Sequence, residues 1–161
     1  MTPRSMIAIP LTVLFAASAV AQPVSEGGRK FTTELTGEAE VNAAGEPNKG
    51  DLDGTGSASL TVNVGQQRVC WDMTVADIAP PTRSHIHKAP ATTTGGIVVS
   101  FFETTETADL NACTTTPVSR ELLRDILQNP QEYYVNVHNA DFPAGTMRYT
   151  SAIPAGLRRR S

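Results

Sequence analysis

Three residues carry the chemistry that this sequence offers. His85, His87 and His138 are its only histidines. His85 and His87 stand two apart in residues 83–87 (RSHIH). On an extended strand, residues i and i+2 leave the same face. Both imidazoles therefore point to one side and Ile86 to the other. His138 ends residues 132–138 (EYYVNVH), where Tyr133, Val135 and Val137 share one face and Tyr134, Asn136 and His138 the other. By parity all three imidazoles point away from the core. If the two strands are neighbours, three neutral imidazoles converge on one ion. Imidazole suits copper and zinc, and three His ligands with an open fourth position can support catalysis or redox chemistry. Calcium and magnesium prefer oxygen ligands. The competing reading of His-x-His is a polar surface pair or a hydrogen-bonding pair near a turn. No hydroxyl lies in a nucleophile-elbow pattern, and no catalytic residue is assigned.

Other segments offer weaker chemistry. Residues 50–56 (GDLDGTG) place Asp51 and Asp53 in a Gly-rich loop. Two carboxylates can hold calcium, but the further acidic ligands of an EF-hand loop are missing. A turn with Asp side chains on backbone N–H groups is the simpler expectation. Glu38 and Glu40 share one face of an extended segment and read as a solvated edge. The doublets Phe101-Phe102 and Tyr133-Tyr134 each send one ring away from the core. Those rings either pack under a loop or helix or face a partner.

The first residues read as an address. Arg4 supplies a positive start, residues 6–20 (MIAIPLTVLFAASAV) an apolar run, and Ala19-Val20-Ala21 a small-x-small cleavage site before Gln22. The run is too short for a confident membrane-spanning helix, which needs about 20 residues. Residues 1–21 are therefore expected to be a signal peptide, with no transmembrane segment after cleavage and an extracytoplasmic destination, periplasmic or secreted. Export places Cys70 and Cys113, the only cysteines, in an oxidising compartment, where an even count favours a disulfide.

The remaining chain is expected to form a flexible leader over 22–30, one domain over 31–153 and a basic tail over 154–161. The chain has 161 residues, 40% hydrophobic and 18% charged, which suits one globular domain. Its net charge of −3 and lack of a long basic run argue against a nucleic-acid partner. Twenty threonines favour strands over helices.

Hydrophobic alternation locates the elements. Residues 31–36, 57–64 and 69–75 alternate, and Gly65-Gln66 joins the last two as a hairpin. Residues 83–87 form a short strand. The apolar run 97–102 (IVVSFF) reads as a fully buried strand. Residues 103–116 read as a Thr-rich connection. Thr116-Pro117 offers a cap for one helix, with Leu122, Leu123, Ile126 and Leu127 at helical spacing and Asn129-Pro130 as its stop. Residues 132–138 and 146–153 complete the strands. The pattern predicts an all-β fold, an antiparallel, Greek-key-like β-sandwich with one short inserted helix.

Several motifs in order resemble a known family. They are Leu-Thr-Gly-Glu-x-Glu-Val (35–41), Gly-Asp-x-Asp-Gly-x-Gly (50–56), Val-Cys-Trp (69–71), Ser-His-Ile-His (84–87), Asn-Pro-x-x-Tyr-Tyr-Val-Asn-Val-His (129–138) and Phe-Pro-Ala-Gly-x-x-Arg (142–148). Together they resemble a chordin-type (CHRD) domain of the bacterial exported type, over about residues 31–153. The resemblance implies an extracytoplasmic β-rich module. Relatives include the animal chordins, which bind growth factors of the bone morphogenetic type. Two segments depart from the pattern: Lys88-Ala89-Pro90-Ala91 replaces a Gly-rich turn, and Tyr149-Thr150-Ser151-Ala152 replaces the usual ending. A fainter similarity is to copper/zinc superoxide dismutase, which combines a β-sandwich, a His-x-His strand and a disulfide. The bridging histidine and further zinc ligands are missing here, so dismutase activity is not implied.

The expected function is a non-catalytic exported module that binds an envelope or extracellular protein or plays a structural role. The second reading is a copper or zinc binder using His85, His87 and His138 in metal handling or redox chemistry. A metal-dependent enzyme ranks third.

Overall fold

The computed structural model describes residues 27–105 and 107–149. The expected signal peptide and the basic tail lie outside the described residues. Among the described residues eight strands appear in chain order: β1 (Arg29–Thr36), β2 (Thr55–Asn63), β3 (Arg68–Ala76), β4 (Arg83–Lys88), β5 (Gly96–Glu103), β6 (Asn111–Cys113), β7 (Tyr133–His138) and β8 (Met147–Tyr149). The helix α1 (Arg120–Gln128) precedes a 3-10 turn at Pro130–Glu132.

All pairings are antiparallel and join the strands into one sheet, ordered β5-β4-β7-β8-β1-β2-β3-β6. The all-β expectation holds, with a refinement: a single curled, nearly closed sheet replaces two separate layers. Contacts across the barrel show the closure. Trp71 on β3 stacks on Phe101 of β5 with ring centroids 4.9 Å apart. The Ser84 hydroxyl on β4 lies 3.8 Å from the Met73 sulfur on β3.

Alternation explains the core. Ala58, Leu60 and Val62 of β2 face Val69, Trp71 and Met73 of β3, all buried inside the curl. Phe31 and Leu35 extend this surface along β1. The expected hairpin forms, with Asn63 opposite Arg68 and Gln67 at positive φ in the turn. Leu123 and Ile126 of α1 close the core, as their spacing predicts.

Local expectations shift in three places. The helix starts later than the Thr116-Pro117 signal: Ser119 is the N-cap, its hydroxyl accepting from the Leu122 N–H at 3.1 Å. The 103–116 segment is not all connection, because Asn111–Cys113 pairs with β3. The 97–102 run is not a fully buried strand. β5 lies at one edge of the sheet and alternates, with Val99 and Phe101 buried and Ile97 53% exposed. A continuous apolar run reports composition, not neighbours, and among the described residues β5 has a neighbour on one side only.

Cys70 and Cys113 form a disulfide between directly opposed residues of β3 and β6. It attaches the shortest edge strand to the sheet.

Candidate metal centre

The candidate site lies on β4 and β7, which pair with each other near one end of the sheet. The register sets His85 opposite Asn136, His87 opposite Tyr134 and Arg83 opposite His138. Ile86, Val135 and Val137 turn inward to the core. His85, His87 and His138 take the other face, as parity requires. That face is not a solvent surface: the three histidines are 1%, 7% and 6% exposed.

Loops roof this second layer, and a buried ion pair holds them there. Glu40, in the 37–54 loop, accepts from Arg148 of β8 at 2.6 and 3.0 Å, and both side chains are 2% exposed. The expectation of a solvated edge is corrected here: Glu38 is exposed, but Glu40 is buried because Arg148 compensates its charge. Arg148 also donates to the carbonyls of Ala91 and Thr93 in the 89–95 loop, at 3.1 and 2.6 Å. Its guanidinium lies 3.9 Å from the Tyr134 ring centroid, and Tyr134 stacks on His87 with centroids 4.8 Å apart. Tyr134 is therefore a wall of this layer and not an exposed partner contact. A Cβ at Gly145 would fall 2.4 Å from the Glu40 carboxylate, so only glycine fits in the 139–146 loop there.

Each imidazole is oriented by an acceptor on its far side. His87 Nδ1 lies 2.9 Å from the Gly95 carbonyl and His138 Nδ1 lies 3.1 Å from the Pro143 carbonyl. His85 Nε2 lies 3.3 Å from the Glu103 carboxylate. Carbonyls only accept, so His87 Nδ1 and His138 Nδ1 carry the protons, and Glu103 gives the same hold on His85 Nε2 when Nδ1 meets an ion. The tautomers leave lone pairs on His87 Nε2 and His138 Nε2, and on His85 Nδ1 when it meets an ion. Two of these atoms, His85 Nδ1 and His138 Nε2, are 3.2 Å apart. His87 Nε2 is buried with no hydrogen-bond partner among the described residues. The three imidazoles offer ligand atoms that all lie within 4.8 Å of one another.

This arrangement matches the way proteins prepare imidazole for a metal. An acceptor fixes one nitrogen and raises the basicity of the other. A proton is a poor substitute for the ion. Burial lowers the affinity of His85 for a proton, against the opposing pull of Glu103. Burial and then the neighbouring His85 push His138 down to about 4. Glu103 and Pro143, the outer partners of His85 and His138, stand in the wall of a cleft of about 750 Å³ that opens to solvent. Among the described residues, no other group of three His, Cys, Asp or Glu side chains lies within reach of one ion. The Asp51 loop behaves as a turn: its N–H donates to Thr146 and its carbonyl accepts from Gly54, both at 2.9 Å.

A model of the CHRD domain matches residues 31–148. The chain belongs to the CHRD-domain family. No curated protein and no solved structure matches it. The matched span of this CHRD domain holds the three histidines, both cysteines and the Glu40–Arg148 pair. No helix among its described residues is long and apolar enough to cross a membrane.

Sequence reasoning found the histidines and cysteines but missed Glu103, Glu40 and Arg148 as parts of the site. Glu40 and Arg148 belong to quoted motifs, so their positions were visible. Their pairing across 108 residues was not.

Proposed function

We propose that this CHRD-domain protein is an exported, non-catalytic module that holds one copper or zinc ion on His85, His87 and His138. The observation that supports the ion is the convergence of three buried imidazole lone pairs, each directed by an acceptor behind it. Neutral nitrogen donors favour copper and zinc over calcium and magnesium. Residues 1–21, with their leader-like pattern, and the Cys70–Cys113 pair support export in a bacterial envelope or extracellular setting. Family membership supports a module that meets a protein partner there. When bound, a copper ion would supply one-electron chemistry and a zinc ion a Lewis acid. The protein's own residues orient the imidazoles, exclude water from them and anchor the roofing loops.

The test is titration of the metal-free protein with Zn(II) and Cu(II), beside the double variant His85→Ala/His87→Ala. One equivalent bound by the wild type and none by the variant is expected. A wild type that binds neither ion overturns the metal reading and leaves the partner-binding module.

A further inference from the structure

The three histidines do not complete the coordination sphere, and the structure holds a fourth polar group beside them. Asn136 is 1% exposed and lies on β7 on the same face as His138, directly opposite His85 in the β4–β7 register. Its side-chain oxygen is 3.1 Å from His138 Nε2. That nitrogen carries a lone pair, because its ring partner donates to the Pro143 carbonyl. Two acceptors at 3.1 Å repel each other unless something positive lies between them. Without an ion, the amide must turn its NH2 group toward His138. With an ion, the oxygen is already in place.

Two of the distances match edges of one coordination polyhedron, and the widest separation among the three imidazole donors, 4.8 Å, must shorten when an ion is bound. Donors about 2.0–2.1 Å from a tetrahedral zinc lie roughly 3.3–3.4 Å from one another. The His138–His85 separation of 3.2 Å and the His138–Asn136 separation of 3.1 Å are close to such edges.

We infer that Asn136 is the fourth ligand, giving a closed site of three imidazole nitrogens and one amide oxygen. This deepens the proposed metal reading and rests on it. A closed sphere leaves no position for a substrate, which suits an ion that is held and not one that turns over. The hard amide oxygen also favours Zn(II) or Cu(II) over Cu(I), whose preference is for soft donors.

The test uses Co(II) as a spectroscopic substitute for Zn(II) in the wild type, Asn136→Ala and Asn136→Asp. Azide probes for an open position. In the wild type, Co(II) binds with tetrahedral visible bands that azide leaves unchanged. Asn136→Ala opens a position: azide alters its bands, and affinity falls roughly 10–100-fold, the range seen when a metal site loses a supporting group. Asn136→Asp keeps azide-insensitive bands and binds more tightly, since a carboxylate adds charge to the same geometry. Should Asn136→Ala fail to fold, Asn136→Asp decides, and unchanged affinity there counts against the inference. Azide-sensitive bands in the wild type overturn the fourth ligand while leaving the three-histidine site intact. Failure of the wild type to bind Co(II), Zn(II) or Cu(II) overturns both readings. A purely structural asparagine would change stability without changing azide access.

Discussion

His138 shows what it takes to bury a ligand before its ion arrives. Its imidazole is held neutral by burial and by His85, with its proton affinity pushed down to about 4 from an ordinary value of 6.5. Between those values the unfolded chain binds a proton that the folded chain refuses. Stability then rises with pH, because the unfolded state carries more protons. For the metal-free protein the contribution is fully present above pH 6.5 and is lost as pH falls toward about 4. His85 shifts in the same direction and adds to the effect. Denaturant midpoints of the metal-free protein from pH 7 to pH 4 should show this fall, and His138→Gln should flatten it. An unchanged slope in the variant would place the acid sensitivity elsewhere. Parity made the histidines legible at this scale, since a period of two fixes the face. What covers that face is not local information. Pro143 and Gly95, which orient two of the rings, do so through backbone carbonyls that no residue type announces.

At the scale of elements, the roof over the site depends on one buried ion pair. Glu40 brings in the 37–54 loop, and Arg148 reaches the 89–95 loop through two carbonyls. Removing one partner of such a pair leaves a buried charge uncompensated, at a cost of about 3–5 kcal/mol. Glu40→Ala is therefore expected to lower stability by that order in equilibrium unfolding. It should also raise amide exchange in residues 89–95, where the Gly95 N–H donates to Tyr134. Slow exchange there in the variant would show that the stack of Arg148, Tyr134 and His87 suffices without the carboxylate. By contrast, Leu123→Ala empties a core position on α1, at about 2–5 kcal/mol. Its loss should appear in the unfolding midpoint without faster exchange confined to the 89–95 loop. The sequence revealed α1 through Leu122, Leu123, Ile126 and Leu127, because helical period survives without tertiary detail. It misplaced the start because Thr116-Pro117 and Ser119 are both credible caps, and packing selects between them. It missed β6 because three residues are too few for a period, and their pairing depends on β3.

For the whole molecule, the question is how far the two ends of the sheet depend on each other. β6 is one edge, attached to β3 by the disulfide across 43 residues of chain. β5 is the other edge and carries Glu103, the partner of His85. Along the hydrogen-bonded sheet, β2, β1 and β8 separate β3 from the β7–β4 pair. Through the core the path is shorter, because Trp71 of β3 stacks on Phe101 of β5. The chain-entropy model puts the loss of a crosslink closing such a loop at about 4 kcal/mol. Cys70→Ser/Cys113→Ser should then lower the denaturant midpoint by a corresponding amount. Zinc affinity measured on the same variant separates the two routes. Coupling along the sheet alone leaves the affinity at its wild-type value, since β4 and β7 keep their register and their roofing loops. A parallel fall in affinity means that freeing β6 loosens Trp71, that Trp71 no longer braces Phe101, and that Glu103 moves with β5. The unchanged affinity is the expected outcome. The ligands are positioned by backbone pairing within β4 and β7, and only the outer partner of His85 lies on the strand that Trp71 supports.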